Sequence, residues 1–118
     1  MRYRVIEAHR GPDRPPLSLR PGERVTVGET YKGPEGWPDW VWCASEAGLG
    51  AWVPLPFLET AGEGTALARE AYDSRELDVE DGDEVTGERE TCGWLWCARE
   101  RDGASGWVPR EKLEALKS

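Results

Sequence analysis

The chain has 118 residues, of which 38% are hydrophobic and 32% charged, and a formal net charge of -8. That length suits one ordinary domain or two very small ones, since modules of about 60 residues fold alone while burying little surface. An acidic surface repels phosphate backbones and anionic headgroups, which argues against nucleic acid or membrane partners and favours basic ligands.

Composition narrows the class. With 7 Trp, 14 Gly and 9 Pro, the chain suits compact β-modules rich in turns, not long amphipathic helices. No run of about 18 apolar residues occurs, and Met1-Arg2-Tyr3-Arg4-Val5 lacks the apolar core of an export signal, so a cytoplasmic protein is expected. Cys43, Cys92 and Cys97 contain no Cys-x-x-Cys pair and fit neither a disulfide framework nor a zinc site, so they are read as reduced thiols.

In chain order, Val25-Thr26-Val27, Val41-Trp42-Cys43 and Ala51-Trp52-Val53 are β-branched and aromatic runs bounded by Gly and Pro, which predicts short strands. The bend Ala47-Gly48-Leu49-Gly50 joins the last two as a hairpin, and a helical turn begun by Pro54 leads to Leu58. Thr60-Ala61-Gly62-Glu63-Gly64-Thr65 then reads as a short linker. Beyond it the pattern returns. Trp40-Val41-Trp42-Cys43-Ala44 recurs as Trp94-Leu95-Trp96-Cys97-Ala98, and Trp52-Val53-Pro54 as Trp107-Val108-Pro109. Leu17-Ser18-Leu19 and Gly22-Glu23-Arg24-Val25 likewise match Leu77-Asp78-Val79 and Gly82-Asp83-Glu84-Val85.

The repeat predicts two domains, residues 1–61 and 62–118. Gly22 to Trp40 spans 18 residues and Gly82 to Trp94 only 12, so the first copy carries an insertion around Lys32–Gly36, in a surface loop. Residues 1–61 hold 7 Lys/Arg against 8 Asp/Glu and residues 62–118 hold 8 against 15, which assigns the acidity to the second domain. The expected fold is all-β, two small barrels of about five strands each.

The motifs resemble the Src homology 3 (SH3) family over nearly the whole chain, in the manner of a bacterial tandem variant. Glu76-Leu77-Asp78-Val79-Glu80-Asp81-Gly82-Asp83 resembles the diverging-turn signature of that family. Gly93-Trp94 resembles the tryptophan after its n-Src loop, and Gly106-Trp107-Val108-Pro109 its Gly-aromatic-aliphatic-Pro strand. Neither copy has the full ALYDY motif, and the second RT-type loop is shortened and acidic.

The resemblance implies cores built from Cys43, Cys97, Val41, Leu95, Val53, Val108, Val25, Val85, Leu58 and Leu113, with Cys92 as the accessible thiol. It also implies aromatic ligand grooves that hold an extended, proline-containing peptide. The first copy supplies Trp40, Trp52, Pro54, Phe57 and His9; the second supplies Tyr72, Trp94, Trp107 and Pro109 beside the carboxylates Asp73 and Glu76. Asp78, Glu80 and Asp81 would add to a groove that prefers basic ligands, and Lys112 stands where Phe57 stands in the first copy.

The expected function is therefore a non-enzymatic protein- or peptide-binding module, without cofactor or metal, and with a monomer favoured. No nucleophile, base and orienting partner form a set, and the acidic loop lacks EF-hand spacing. A second reading is a structural or regulatory module whose barrels pack on each other or on a partner, burying the aromatic faces. Pro12-Asp13-Arg14-Pro15-Pro16 reads either as a tight turn or as an internal ligand for the second groove.

Overall fold

The computed structural model describes residues 1–117. As expected, the chain is all-β. Its strands are β1 (Arg2–Val5), β2 (Ser18–Leu19), β3 (Arg24–Thr30), β4 (Trp40–Ser45), β5 (Gly50–Pro54), β6 (Leu58–Thr60), β7 (Thr65–Ala68), β8 (Tyr72–Asp73), β9 (Glu84–Thr91), β10 (Trp94–Arg99), β11 (Ser105–Pro109) and β12 (Leu113–Ala115). Single 3-10 turns at Leu55–Phe57 and Arg110–Lys112 follow Pro54 and Pro109. The only helices among the described residues are these turns, and none is long and apolar enough to cross a membrane.

Two five-stranded antiparallel sheets run β5-β4-β3-β7-β6 and β11-β10-β9-β1-β12, and β2 pairs with β8. These orders divide the chain differently from the boundary expected at residue 61. One compact unit is continuous, residues 14–74; the other is split, residues 1–13 with 75–118. In the continuous unit, β7 lies between β3 and β6. In the split unit, β1 takes the equivalent place between β9 and β12. Each half of the sequence thus completes its sheet with the opening strand of the other.

The cause lies in Thr60–Thr65. That segment is no linker but the hairpin turn between β6 and β7, with Ala61 N–H donating to the Thr65 carbonyl at 3.1 Å and Thr65 Oγ1 donating to the Ala61 carbonyl at 2.9 Å. Gly62 and Gly64 have φ of 110° and 73°, which side-chain-bearing residues rarely adopt. A tight turn closes a hairpin at little entropic cost, so β7 pairs with the strand just before it. The slot beside β9 and β12 is filled by β1, whose Tyr3 and Val5 face inward as Ala66 and Ala68 of β7 do.

The two cores follow the strand alternation. Strands β4 and β10 share one burial pattern, with Val41, Cys43, Leu95 and Cys97 all buried. The other expected core residues, Val53, Val108, Val25, Val85, Leu58 and Leu113, are buried too. Burial pushes the Cys43 thiol up to about 11 and the Cys97 thiol up to about 12.

The new boundaries also redistribute charge. Residues 14–74 hold 5 Lys/Arg against 9 Asp/Glu and the split unit 10 against 14, so each carries -4. The acidity assigned to the second half belongs to both units equally.

Candidate functional site

In the continuous unit, β4 and β5 pair Trp40 with Pro54, Val41 with Val53 and Trp42 with Trp52. Alternation therefore puts Trp40, Trp42, Trp52 and Pro54 on the face away from Val41 and Val53. This face has two zones. Trp40 (6% exposed), Pro54 and Phe57 (2%) are buried, whereas Trp42 and Trp52 are half-buried.

Around the half-buried pair the rings form a chain of contacts. Trp42 meets Trp52 edge to face at 5.4 Å between centroids. Tyr31 meets Trp52 in the same way at 5.1 Å and stacks on Trp37 at 5.5 Å. Edge-to-face and offset arrangements match positive ring edges to negative ring faces. The Tyr31 hydroxyl donates to the Glu35 carboxylate, and that bond, with lesser help from desolvation and the charge, pushes Tyr31 up to about 12. The insertion at Lys32–Gly36 thus closes a loop that brings Tyr31 and Trp37 to β5. The Arg14 guanidinium completes the cluster, 5.2 Å from the Trp42 ring centroid.

Tyr72 also belongs here, not with the second-copy groove. It lies on β8 beside β2, its ring meets Phe57 edge to face at 5.0 Å, and its hydroxyl donates to the Trp52 carbonyl at 3.0 Å. Asp73, next to it on β8, pairs with Ser18 and is likewise part of the continuous unit.

The split unit receives His9 in exchange. His9 is buried, meets Trp94 edge to face at 5.5 Å, and bridges to Val79 through paired backbone bonds. Its Nε2 lies 2.8 Å from Glu76 Oε1 and its Nδ1 3.3 Å from Lys112 Nζ. An ammonium can only donate, so Nδ1 accepts and Nε2 carries the proton donated to Glu76. Lys112 also donates to the Ala8 carbonyl at 3.3 Å and lies 3.6 Å from Glu7. Where the continuous unit has two aromatic rings, Tyr72 and Phe57, the split unit has an imidazole and an ammonium tied to a carboxylate.

Trp94 (8% exposed), Trp107 (4%) and Pro109 are buried. Trp96, half-buried, meets Trp107 edge to face at 5.4 Å and has Arg75 over its ring at 6.0 Å. The segment Arg75–Leu77 covers the outer edge of β11: Trp107 N–H donates to the Arg75 carbonyl at 2.9 Å and Leu77 N–H to the Trp107 carbonyl at 3.0 Å. Gly106 permits that approach, since a Cβ there would lie 2.7 Å from Leu77 N. The equivalent residue of β5 is Ala51, opposite Cys43 as Gly106 is opposite Cys97, and Leu17, the repeat counterpart of Leu77, donates its N–H to Ser74 Oγ at 2.7 Å.

The acidic loop is engaged with cations of its own unit. Glu80 pairs with Arg10, and Asp83 and Asp102 pair with Arg101 and Arg99. Asp102 is held down to about 2, chiefly by its bond to Arg99, and Asp83 is lowered mainly by the Glu80 backbone N–H. Asp78 accepts from Gly11 N–H at 2.8 Å. Among the described residues, no group of three or more His, Cys, Asp and Glu side chains could hold a metal ion.

The expected site residues therefore fall into two sets with exchanged members: Trp40, Trp52, Pro54, Phe57, Tyr72 and Asp73, and His9, Glu76, Trp94, Trp107 and Pro109. Tyr31, Trp37 and Trp42 lie outside every motif of the resemblance, yet they form most of the half-buried aromatic surface. The sequence signal for Trp42 is the recurring Trp40–Ala44 motif, and for Tyr31 and Trp37 it is that they flank Lys32–Gly36, the region of the first-copy insertion. Comparison with protein-family models, curated proteins and solved structures finds no match to this chain.

Proposed function

We propose that the chain is a non-enzymatic, SH3-like binding module that engages a protein or peptide segment, proline-containing or basic, through the aromatic surface of residues 14–74. The observation that carries this reading is the half-buried cluster Tyr31, Trp37, Trp42 and Trp52, four rings in continuous contact on one face. Flat aromatic side chains offer a large apolar area and lose little conformational entropy on binding, which suits an extended ligand. The net charge of -4 on this unit favours a basic one. Of the groove residues that the resemblance implies, this surface keeps Trp52, and it adds Trp42 of β4 with Tyr31 and Trp37 from the segment between β3 and β4.

A second reading has its own support. Trp40, Phe57, Tyr72, Trp94 and Trp107 are all nearly inaccessible, as expected of a structural or regulatory module whose aromatic faces are not ligand grooves. Titration of the isotope-labelled chain with proline-rich peptides, with and without arginine, separates the two. Selective shifts of the Trp42 and Trp52 indole N–H signals support the binding module. Silence across the panel supports the structural one.

A further inference from the structure

Trp42 and Trp96 occupy the same place in their two sheets, each opposite a tryptophan of the next strand. Each also has an arginine over its ring, Arg14 at 5.2 Å and Arg75 at 6.0 Å. Neither arginine comes from the neighbouring strands. Both open a segment that enters its unit, Arg14 at the start of residues 14–74 and Arg75 at the start of residues 75–118. The contact is thus made twice, by different residues, on equivalent rings.

Arg14 is exposed, as are the flanking Pro12, Asp13, Pro15 and Pro16. A guanidinium within about 6 Å of an indole face is attracted by the ring quadrupole, weakly at an exposed site. The two prolines after it lack N–H groups and restrict the backbone, so the segment projects its arginine onto Trp42 without joining a sheet ladder. The Trp42 ring is fixed from beneath by Gly50, where a Cβ would lie 2.6 Å from Cζ2, and from the side by Trp52. A rigid ring with a loosely held cation on it is a position that a competing cation can take.

We propose that the Trp42 ring is the docking position for an arginine side chain of an extended partner segment, and that Arg14 is the intramolecular occupant it displaces. This rests on the binding function proposed above and specifies its ligand chemistry and its self-inhibition. Both cations need the same ring, so binding competes with Arg14 and its removal strengthens binding. The acidic balance of the unit favours such a cationic segment.

The test uses the full chain and two probes: a peptide copying residues 12–18, and the same peptide with citrulline, neutral but similar in shape, in place of arginine. In Arg14→Ala, the arginine peptide should shift the Trp42 indole N–H signal and bind about threefold to fivefold more tightly than it binds the unchanged chain. Arg14→Lys should restore the competition, and the citrulline peptide should gain nothing from either substitution. Equal affinity for the unchanged chain and Arg14→Ala, with Trp42 unmoved while Trp37 or Trp52 shifts, overturns the displacement but leaves the binding module standing. Absence of binding by either peptide to every variant, together with silence across the proline-rich panel, overturns both.

Discussion

The imidazole of His9 meets the indole of Trp94 edge to face at 5.5 Å, although the sequence repeat assigns these residues to different copies. The contact exists because β1 completes the sheet that contains β10. His9→Ala should therefore shift the Trp94 indole signal and lower the stability of the split unit by about 1–2 kcal/mol, through loss of the ring contact and the bond to Glu76. A shift confined to Trp52 would place His9 in the other unit.

Tyr72 makes the reciprocal case. Tyr72→Phe removes the hydroxyl bonded to the Trp52 carbonyl and keeps the ring against Phe57, so a loss of about 1 kcal/mol and movement of the Trp52 signals are expected. Unchanged Trp52 signals would contradict the assignment.

The thiols should separate by burial. Cys43 and Cys97 are fully buried and their ionisation is pushed up to about 11 and 12, while Cys92 is partly accessible in the turn between β9 and β10. The thiolate is the reacting species, so a thiol reagent at pH 8 should modify Cys92 alone in the native chain and all three cysteines after unfolding. Mass spectrometry of the modified peptides reads the result, and early labelling of Cys43 or Cys97 would count against the cores described.

Gly106→Ala should destabilise the split unit by about 2 kcal/mol, because the new methyl would meet backbone atoms of Glu76 and Leu77 at 2.9 and 2.7 Å and must push the covering segment off β11. Ala51→Gly in the other sheet only removes a buried methyl and should cost about 1 kcal/mol. Denaturant midpoints compare the two, and a Gly106→Ala chain as stable as the original would refute the close approach.

Alkaline pH should weaken the aromatic cluster. Glu35 holds the Tyr31 proton up to about 12, above the ordinary tyrosine value near 10. The unfolded chain then loses this proton first, so the contribution of the Tyr31–Glu35 bond is whole below about pH 10 and is lost as pH rises through about 12. Glu35→Gln should bring the Tyr31 ring signals back to a midpoint near 10; a midpoint near 10 in the unchanged chain would contradict the bond.

Strand positions and inward residues were legible in the sequence because they rest on local signals: alternation in Trp40–Cys43 and Trp94–Cys97, glycine bends, and Pro54 and Pro109 before their turns. Partnership of strands was not. The pairing of β7 depends on how Gly62 and Gly64 turn the chain, and a tight hairpin turn and a short flexible linker have the same composition. That single ambiguity moved His9 and Tyr72 between sites and dissolved the charge contrast between halves. The aromatic surface was half legible: Trp52 sits in a recurring motif, whereas Tyr31 and Trp37 reach it only through an insertion with no counterpart in the second copy.

Exchange of β1 and β7 underlies the two units and the assignment of His9 and Tyr72, and dissection of the chain tests it most directly. Residues 14–74 expressed alone, and the remainder with residue 13 joined to residue 75 through a short flexible linker, should each give a dispersed amide spectrum and cooperative unfolding, whereas fragments 1–61 and 62–118 should each lack a central strand and remain unfolded. Independent folding of 1–61 and 62–118, with 14–74 disordered, would contradict the exchange and return His9 and Tyr72 to the copies the repeat assigns them.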